Sequence, residues 1–221
     1  MKHFLCTSIA LALLTTLGVT TGNAAALDSQ IVLGRYVRAL DALVVPKNVI
    51  YSYAVSQAGP PDIEQKHLVY RSGSAVRDEL LGGSTIKPKE TIITDRVDRY
   101  AIARVAPRPG VYGFLFVRTV VENGSMVYLY DTFPLSSDTS GFAVTEIAID
   151  AASFLPRRIA FRTTNGVVTG KGQLQYVPVE AYWMPVSATI SVALGGKPAQ
   201  ERITWSGYRF PAALPALTFT R

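Results

Sequence analysis

Cysteine is nearly absent. The chain has one, Cys6, inside the apolar segment that opens it. Beyond that segment there is no thiol, so disulfides, thiol catalysis and cysteine-based metal sites are excluded. Histidine is almost as scarce. His3 lies in the same opening segment, and His67 stands alone in a strand-like stretch between Lys66 and Leu68. One histidine with no cysteine and no second histidine makes a poor metal site and a lone candidate base. Charged residues make up 17%, against ~25% in an ordinary soluble domain. There is no G-x-S-x-G elbow, no P-loop and no G-x-G-x-x-G. No cluster of Lys and Arg with interleaved aromatics is present, which argues against nucleic acid. Carboxylates come close in three places. Asp78 and Glu79 are adjacent and point to opposite strand faces. Asp95 and Asp98 lie near a turn. Glu146 and Asp150 can meet arginines across a hairpin. Glycosidase chemistry needs two carboxyls at a set separation, and the spacing sets none. With no nucleophile–base pair visible, the reading is of a chain that is not an enzyme and needs no cofactor.

What is present begins with a leader. Lys2 and His3 precede an apolar stretch at 4–17, and Ala24, Ala25 and Ala26 form a small-residue cleavage site. That pattern is a secretory signal peptide over 1–26, leaving one domain at 27–221. A membrane anchor is the alternative, but the run falls short of ~20 residues and ends in Thr, Gly and Asn. Cys6 lies too early to be the lipid-modified cysteine of a lipoprotein. An exported chain without disulfides must rely on its core, and 48% hydrophobic content supports a sizeable one. The expected location is the bacterial periplasm or the outside of the cell. Cleavage removes Lys2 and no acid, so the net charge falls by one from +6. That mild excess serves solubility, or attraction to anionic lipid head groups or an acidic partner.

One helix is expected at 28–45, capped by Asp28 or Ser29. Leu33, Tyr36, Val37, Leu40, Leu43 and Val44 form its apolar stripe, and Pro46 stops it. Strands follow at 49–57, 63–72 and 75–81, then a loop at 82–90. One or two strands are expected in 91–105, the clearer at 99–105. Asn123-Gly124 marks a hairpin between 111–121 and 125–133. A second hairpin joins 142–150 to 155–163. Period-two alternation puts Ala143, Thr145, Ile147 and Ile149 on one face, and Leu155, Ile159 and Phe161 on one face of its partner. Arg158 and Arg162 lie on the solvent face. After Asn165-Gly166, strands are expected at 167–179, 183–194 and 200–210, the last two separated by Gly195-Gly196. Along the middle one, Tyr182, Met184, Val186, Ala188, Ile190, Val192 and Leu194 share a face. The proline-containing end, 211–221, reads as an extended edge. Ten or eleven strands with short connections pair antiparallel. The fold class is α+β, mostly β. It is one large curved antiparallel sheet with the N-terminal helix on its concave face, or alternatively a two-sheet sandwich.

Eleven Tyr, nine Phe and two Trp spread over these strands give more apolar face than one helix covers. The excess forms a packed core or lines a cavity for an apolar ligand. The stretch Val144-Thr-Glu-Ile-Ala-Ile-Asp-Ala-Ala-Ser-Phe-Leu-Pro-Arg-Arg-Ile159 resembles the hairpin of the LolA/LolB-type lipoprotein carriers. There a strand ends in Asp and the next opens with Leu-Pro and a basic residue. The segment around Tyr36, Leu40 and Leu43, leading into 49–57, is similar to the first helix and strand of that superfamily, whose relatives include envelope-stress sensor domains. The resemblance implies an unclosed β-barrel with helices plugging a hydrophobic cavity. It implies lipid or an acylated protein as partner, peripheral membrane contact, and a lid. The carriers' early-strand arginine latch has no counterpart in 49–57, and only the loops at 82–90 and 134–140 are available as lids. Leu40, Tyr51, Tyr53, Tyr182, Met184, Val186 and Ile190 are the expected cavity lining. The other reading is an envelope regulatory or interaction domain that binds a partner strand along a sheet edge, with Arg157, Arg158 and Arg162 as candidate contacts.

Overall fold

A computed structural model describes residues 28–58, 63–83, 100–136, 141–165, 168–194 and 197–219. The signal-peptide reading, the 82–90 loop beyond Gly83 and the first part of the 91–105 expectation lie outside the described residues; Gly82 and Gly83, expected in that loop, instead end a strand.

The first element is α1 (Ser29–Asp41), and Asp28 caps it by accepting from the Gln30 amide at 2.8 Å. Val32, Tyr36 and Leu40, four apart, are its buried residues. The helix stops four residues short of 45, with Ala42 as its C-cap; Pro46 constrains only Val45. Val44, expected on the stripe, is therefore 64% exposed, and Val32 takes the buried role in a stripe that turns out one turn shorter.

The strands are β1 (Asn48–Ala58), β2 (Ile63–Ser72), β3 (Ala75–Gly83), β4 (Tyr112–Glu122), β5 (Ser125–Pro134), β6 (Phe142–Asp150), β7 (Pro156–Asn165), β8 (Val168–Val179), β9 (Tyr182–Leu194) and β10 (Lys197–Arg209). They form one sheet in the order β3-β2-β1-β10-β9-β8-β7-β6-β5-β4, so β3 and β4 are its two edges and the sheet is open. The two-sheet alternative is excluded. Every neighbouring pair is antiparallel, as short connections require. At Asn123-Gly124 both residues take positive φ, 49° and 76°, the geometry of a two-residue hairpin turn.

One cross-strand row carries the core: Val55, Ile203, Ala188, Leu174, Ile159, Ile147, Tyr130 and Phe116 lie in register across eight strands. The six inner members of that row are fully buried. This face is the concave one and α1 packs on it. Gly172 lies on the same face because the Phe161 ring crosses it. A Cβ there would fall 2.3 Å from Phe161 Cζ.

Four expectations are corrected. In β6 the register steps from Val144–Phe161 to Glu146–Ala160, leaving Thr145 as a bulge. Val144 therefore joins Ile147 on the inner face, and Ala143 opposes Arg162 outside. Residues 102–105, expected as strand, are a single helical turn, α2 (Ile102–Val105), whose Ile102 is buried. The C-terminal end is a 3₁₀ turn, Ala216–Phe219, and the Thr218 carbonyl accepts from Arg77 Nη1 at 3.0 Å. It is no edge strand. Arg158 is not solvated: it holds Glu122 and Glu146, tying β4, β6 and β7 together on the outer face.

Candidate ligand site on the inner face

The concave face is covered by α1 and by the segment 100–108 around α2. The two are joined to each other. The Tyr36 hydroxyl donates to the Pro107 carbonyl at 2.6 Å, and Arg108 Nη1 lies 2.8 Å from Asp41 Oδ1. The sheet reaches up to this cover through Tyr176, whose hydroxyl donates to the Tyr100 carbonyl at 2.8 Å. Ser29 Oγ donates to the Tyr130 hydroxyl at 3.2 Å. Burial pushes the Tyr36 hydroxyl far above the ordinary phenol range, against a smaller opposing effect of Arg108. Burial does the same to Tyr176. Both phenols stay protonated and able to donate.

The expected lining residues divide among several settings. Leu40 is buried on α1 at 3% exposure. Tyr51 packs against Tyr208 with ring centroids 5.8 Å apart, and Tyr208 donates to the Pro185 carbonyl at 2.5 Å. Tyr53 stacks on His67 at 4.4 Å and 8°, and its hydroxyl donates to Asp78 Oδ2 at 2.7 Å. His67 Nδ1 lies 2.8 Å from Asp78 Oδ1. Tyr53 therefore closes a polar cluster between β1 and β3. Tyr182 is half-buried against Phe210 at 4.4 Å. Ile190 is buried beside Gly170 and the Val192 side chain. Val186 departs from the set. The register steps from Gln175–Ser187 to Tyr176–Pro185 and skips it. It is half-buried, whereas Ala188, Ile190 and Val192 continue along the inner face.

Met184 stands where the inner face opens. Beside it, the chain leaving α1, the start of α2 and the first turn of β9 enclose an apolar crevice of about 50 Å³. Its walls are Val44, Val45 and Pro46 on one side and Trp183, Met184 and Pro185 on the other, with Arg71 at the rim. Trp183 is held in place from two directions. Its Nε1 donates to the Pro156 carbonyl at 2.7 Å, and the Arg157 guanidinium sits 5.7 Å over its ring. Arg157 is itself anchored on Asp150 at 2.6 Å. The crevice is far below the ~300–1,000 Å³ of ordinary ligand cavities. Among the described residues, the inner-face side chains of the central strands are buried against one another and against α1.

The residues missed from sequence are those whose role depends on distant partners. Tyr176 has no distinguishing local signal within its strand, although a buried phenol needs a hydrogen-bond partner. Val45 and Arg71 carried no local signal. Among the described residues, the His67 ring nitrogens meet Asp78 and Gln65 and no hydroxyl nucleophile. No three His, Cys, Asp or Glu side chains gather there as a metal site. No described helix is long and apolar enough to cross a membrane.

No known protein family and no curated protein matches the chain in sequence. Among solved structures it is similar to a LolA superfamily protein from Nitrosomonas europaea. That likeness has 12% identity, covers 89% of this chain and 99% of that one, and has a TM-score of 0.38. A putative outer membrane lipoprotein-sorting protein domain from Vibrio parahaemolyticus is 12% identical over 87% of this chain and 97% of its own, with a TM-score of 0.48. MucB, solved in complex with periplasmic MucA, is 9% identical over 84% of this chain and the whole of that one, with a TM-score of 0.25.

Proposed function

We propose that the chain is a non-catalytic carrier of the bacterial periplasm, exported by its N-terminal signal, which holds lipid or lipoprotein acyl chains against the inner face of its sheet. The observation behind this reading is the seam at Met184. An apolar sheet face is covered by a 13-residue helix and one further turn rather than by a second sheet. The seam between cover and sheet is lined by apolar side chains, with Val44 and Val45 mostly exposed at its entrance. Each methylene moved from water into such a site contributes ~0.8 kcal/mol, so a few turns of acyl chain suffice to offset displacement of the cover. The resemblance of the 144–159 hairpin to the lipoprotein carriers points the same way. The test is lipid mass spectrometry of the mature protein purified from its native host, together with titration of a fluorescent acyl-chain probe. Stoichiometric lipid or acylated peptide is expected, and Met184→Arg should abolish probe binding while leaving the circular dichroism spectrum unchanged. Equal binding by a folded Met184→Arg protein would refute the reading.

A second reading, an interaction domain, is favoured by β4. This edge strand leaves Leu115 61% and Val121 66% exposed, and an apolar edge is a template for a partner strand. The proposed basic contacts are reduced by the structure: Arg157 and Arg158 are engaged with Asp150, Glu122 and Glu146, and of the three Arg162 alone is exposed. Charge reversal at Arg162 and Leu115→Lys, compared in a pull-down with wild type, separate this reading from the carrier.

A further inference from the structure

The outer face carries a trough at the sheet end opposite the Met184 seam. One cross-strand row there runs Ala58, Gln200, Ser191, Lys171, Arg162 over β1, β10, β9, β8 and β7. The neighbouring pair toward the strand ends is Pro198–Ala193. Four of these side chains are short, so they leave a depression of about 590 Å³, within the ~300–1,000 Å³ range of small-molecule sites. Lys171, Thr169, Ser191 and Gln200 supply its polar groups.

One border of the trough is electrostatically unusual: Lys171 lines it, and Arg162, its cross-strand neighbour, lies just beyond. Lys171 lies directly opposite Arg162, and both are exposed. Directly opposed side chains have Cβ atoms ~5 Å apart, and like charges in that position are destabilising. Arg77, Arg157 and Arg158 are paired with acids, respectively Glu79, Asp150, and Glu122 with Glu146, whereas Arg162 and Lys171 are two cations set directly against each other. Among the described residues, neither Lys171 nor Arg162 makes an ion pair or hydrogen bond. A single carboxylate neutralises one such cation. A phosphate monoester, carrying nearly two charges near neutral pH, neutralises both and offers acceptor oxygens to an ammonium and to a planar guanidinium at once.

We propose that Lys171 and Arg162, with the hydroxyls of Thr169 and Ser191, form a binding site for a phosphate monoester, whose organic part lies along the trough over Ala193 and Pro198. The site is on the opposite face from the acyl-chain seam and stands independently of it. Two sources of that chemistry, a free phosphoester and a lipid head group, are separable by experiment.

The experiment uses the whole mature protein with inorganic phosphate, glycerol phosphate and dihexanoyl phosphatidic acid. Thermal melting and amide chemical shifts at Lys171 and Ser191 are followed. All three ligands should raise the melting temperature and shift those amides. Lys171→Gln and Arg162→Gln should each weaken binding ~tenfold. Each should also melt no lower than wild type without ligand, since each removes a repulsion. Phosphatidic acid binding ~tenfold tighter than glycerol phosphate assigns the source to a lipid head group. Equal affinity assigns it to a free phosphoester. The proposal falls if phosphate produces no shift at these amides, or if the double variant binds as wild type. It falls equally if Lys66→Gln, a control on β2, weakens binding as much, because the effect is then net charge alone.

Discussion

Replacing Tyr176 with Phe tests whether the cover is a movable part. The phenol is 1% exposed, and its hydroxyl supplies a 2.8 Å bond from the sheet to the Tyr100 carbonyl on the cover. Phenylalanine keeps the ring packed and removes only that donor. Losing a buried hydrogen bond, with its acceptor left short of a partner, costs ~1–2 kcal/mol. If the bond forms only in the closed state, the open population rises ~5- to 30-fold. Hydrogen exchange followed by mass spectrometry resolves the two regions concerned. Amides of α1 should exchange faster by that factor, by an opening smaller than global unfolding. Amides of β7 should change only as much as overall stability does. Stopped-flow binding of an acyl-chain probe should accelerate in parallel. If α1 and β7 exchange through the same global event, with equal changes in both, the cover does not open on its own and the entry route at Met184 is wrong.

Leu40→Ala should destabilise by ~2–5 kcal/mol in urea titration, because it leaves an apolar void between α1 and the sheet. At saturating probe the variant should bind an acyl chain more tightly than wild type, since the chain then fills that void. Asp150 accepts from the Ala152 and Ser153 amides, from Ser153 Oγ and from Arg157 Nε. Asp150→Ala should cost ~2–4 kcal/mol at neutral pH. Burial acts to raise the Asp150 pKa, but the hydrogen bonds from Arg157 and Ser153 outweigh it and hold the carboxyl below its ordinary value. A depressed folded-state pKa gives stability that is present above the ordinary carboxylate range and lost as pH falls through the depressed value. The wild-type and variant stability curves should therefore converge as pH drops below ~4, and curves that stay parallel would contradict this account. Gly172→Ala should lower stability by ~1–3 kcal/mol. Its Cβ meets both the Phe161 ring and the Thr189 carbonyl at 2.7 Å, so trimming Phe161 to Leu should restore only part of the melting temperature.

Elements whose signals are local match their expected positions. Asn123-Gly124 names its own turn, because both residues tolerate positive φ. The β6–β7 hairpin lies within one or two residues of its expected bounds. The Asp28 cap and the 36–40 spacing announce α1. Elements that differ from expectation depend on partners elsewhere in the chain. The alternation across β9 breaks at Val186 because β8 pairs with Ser187 and then with Pro185. Thr145 bulges for the same kind of reason against β7. Residues 102–105 have strand-like composition, yet they close the concave face as a helical turn by burying Ile102.

The sequence alone therefore determined the described strands, their antiparallel pairing and the long helix α1. Steric alternation, turn chemistry and capping each act within a few adjacent residues. Only the tertiary structure decided which face of β6 and β9 turns inward, that an apolar crevice lies beside Met184, and that Arg157 and Arg158 are engaged with acids while Lys171 and Arg162 lie directly opposite each other. Each of these depends on a cross-strand partner whose register is set by bulges and by the packing of the whole sheet, and no local window of residues contains that partner.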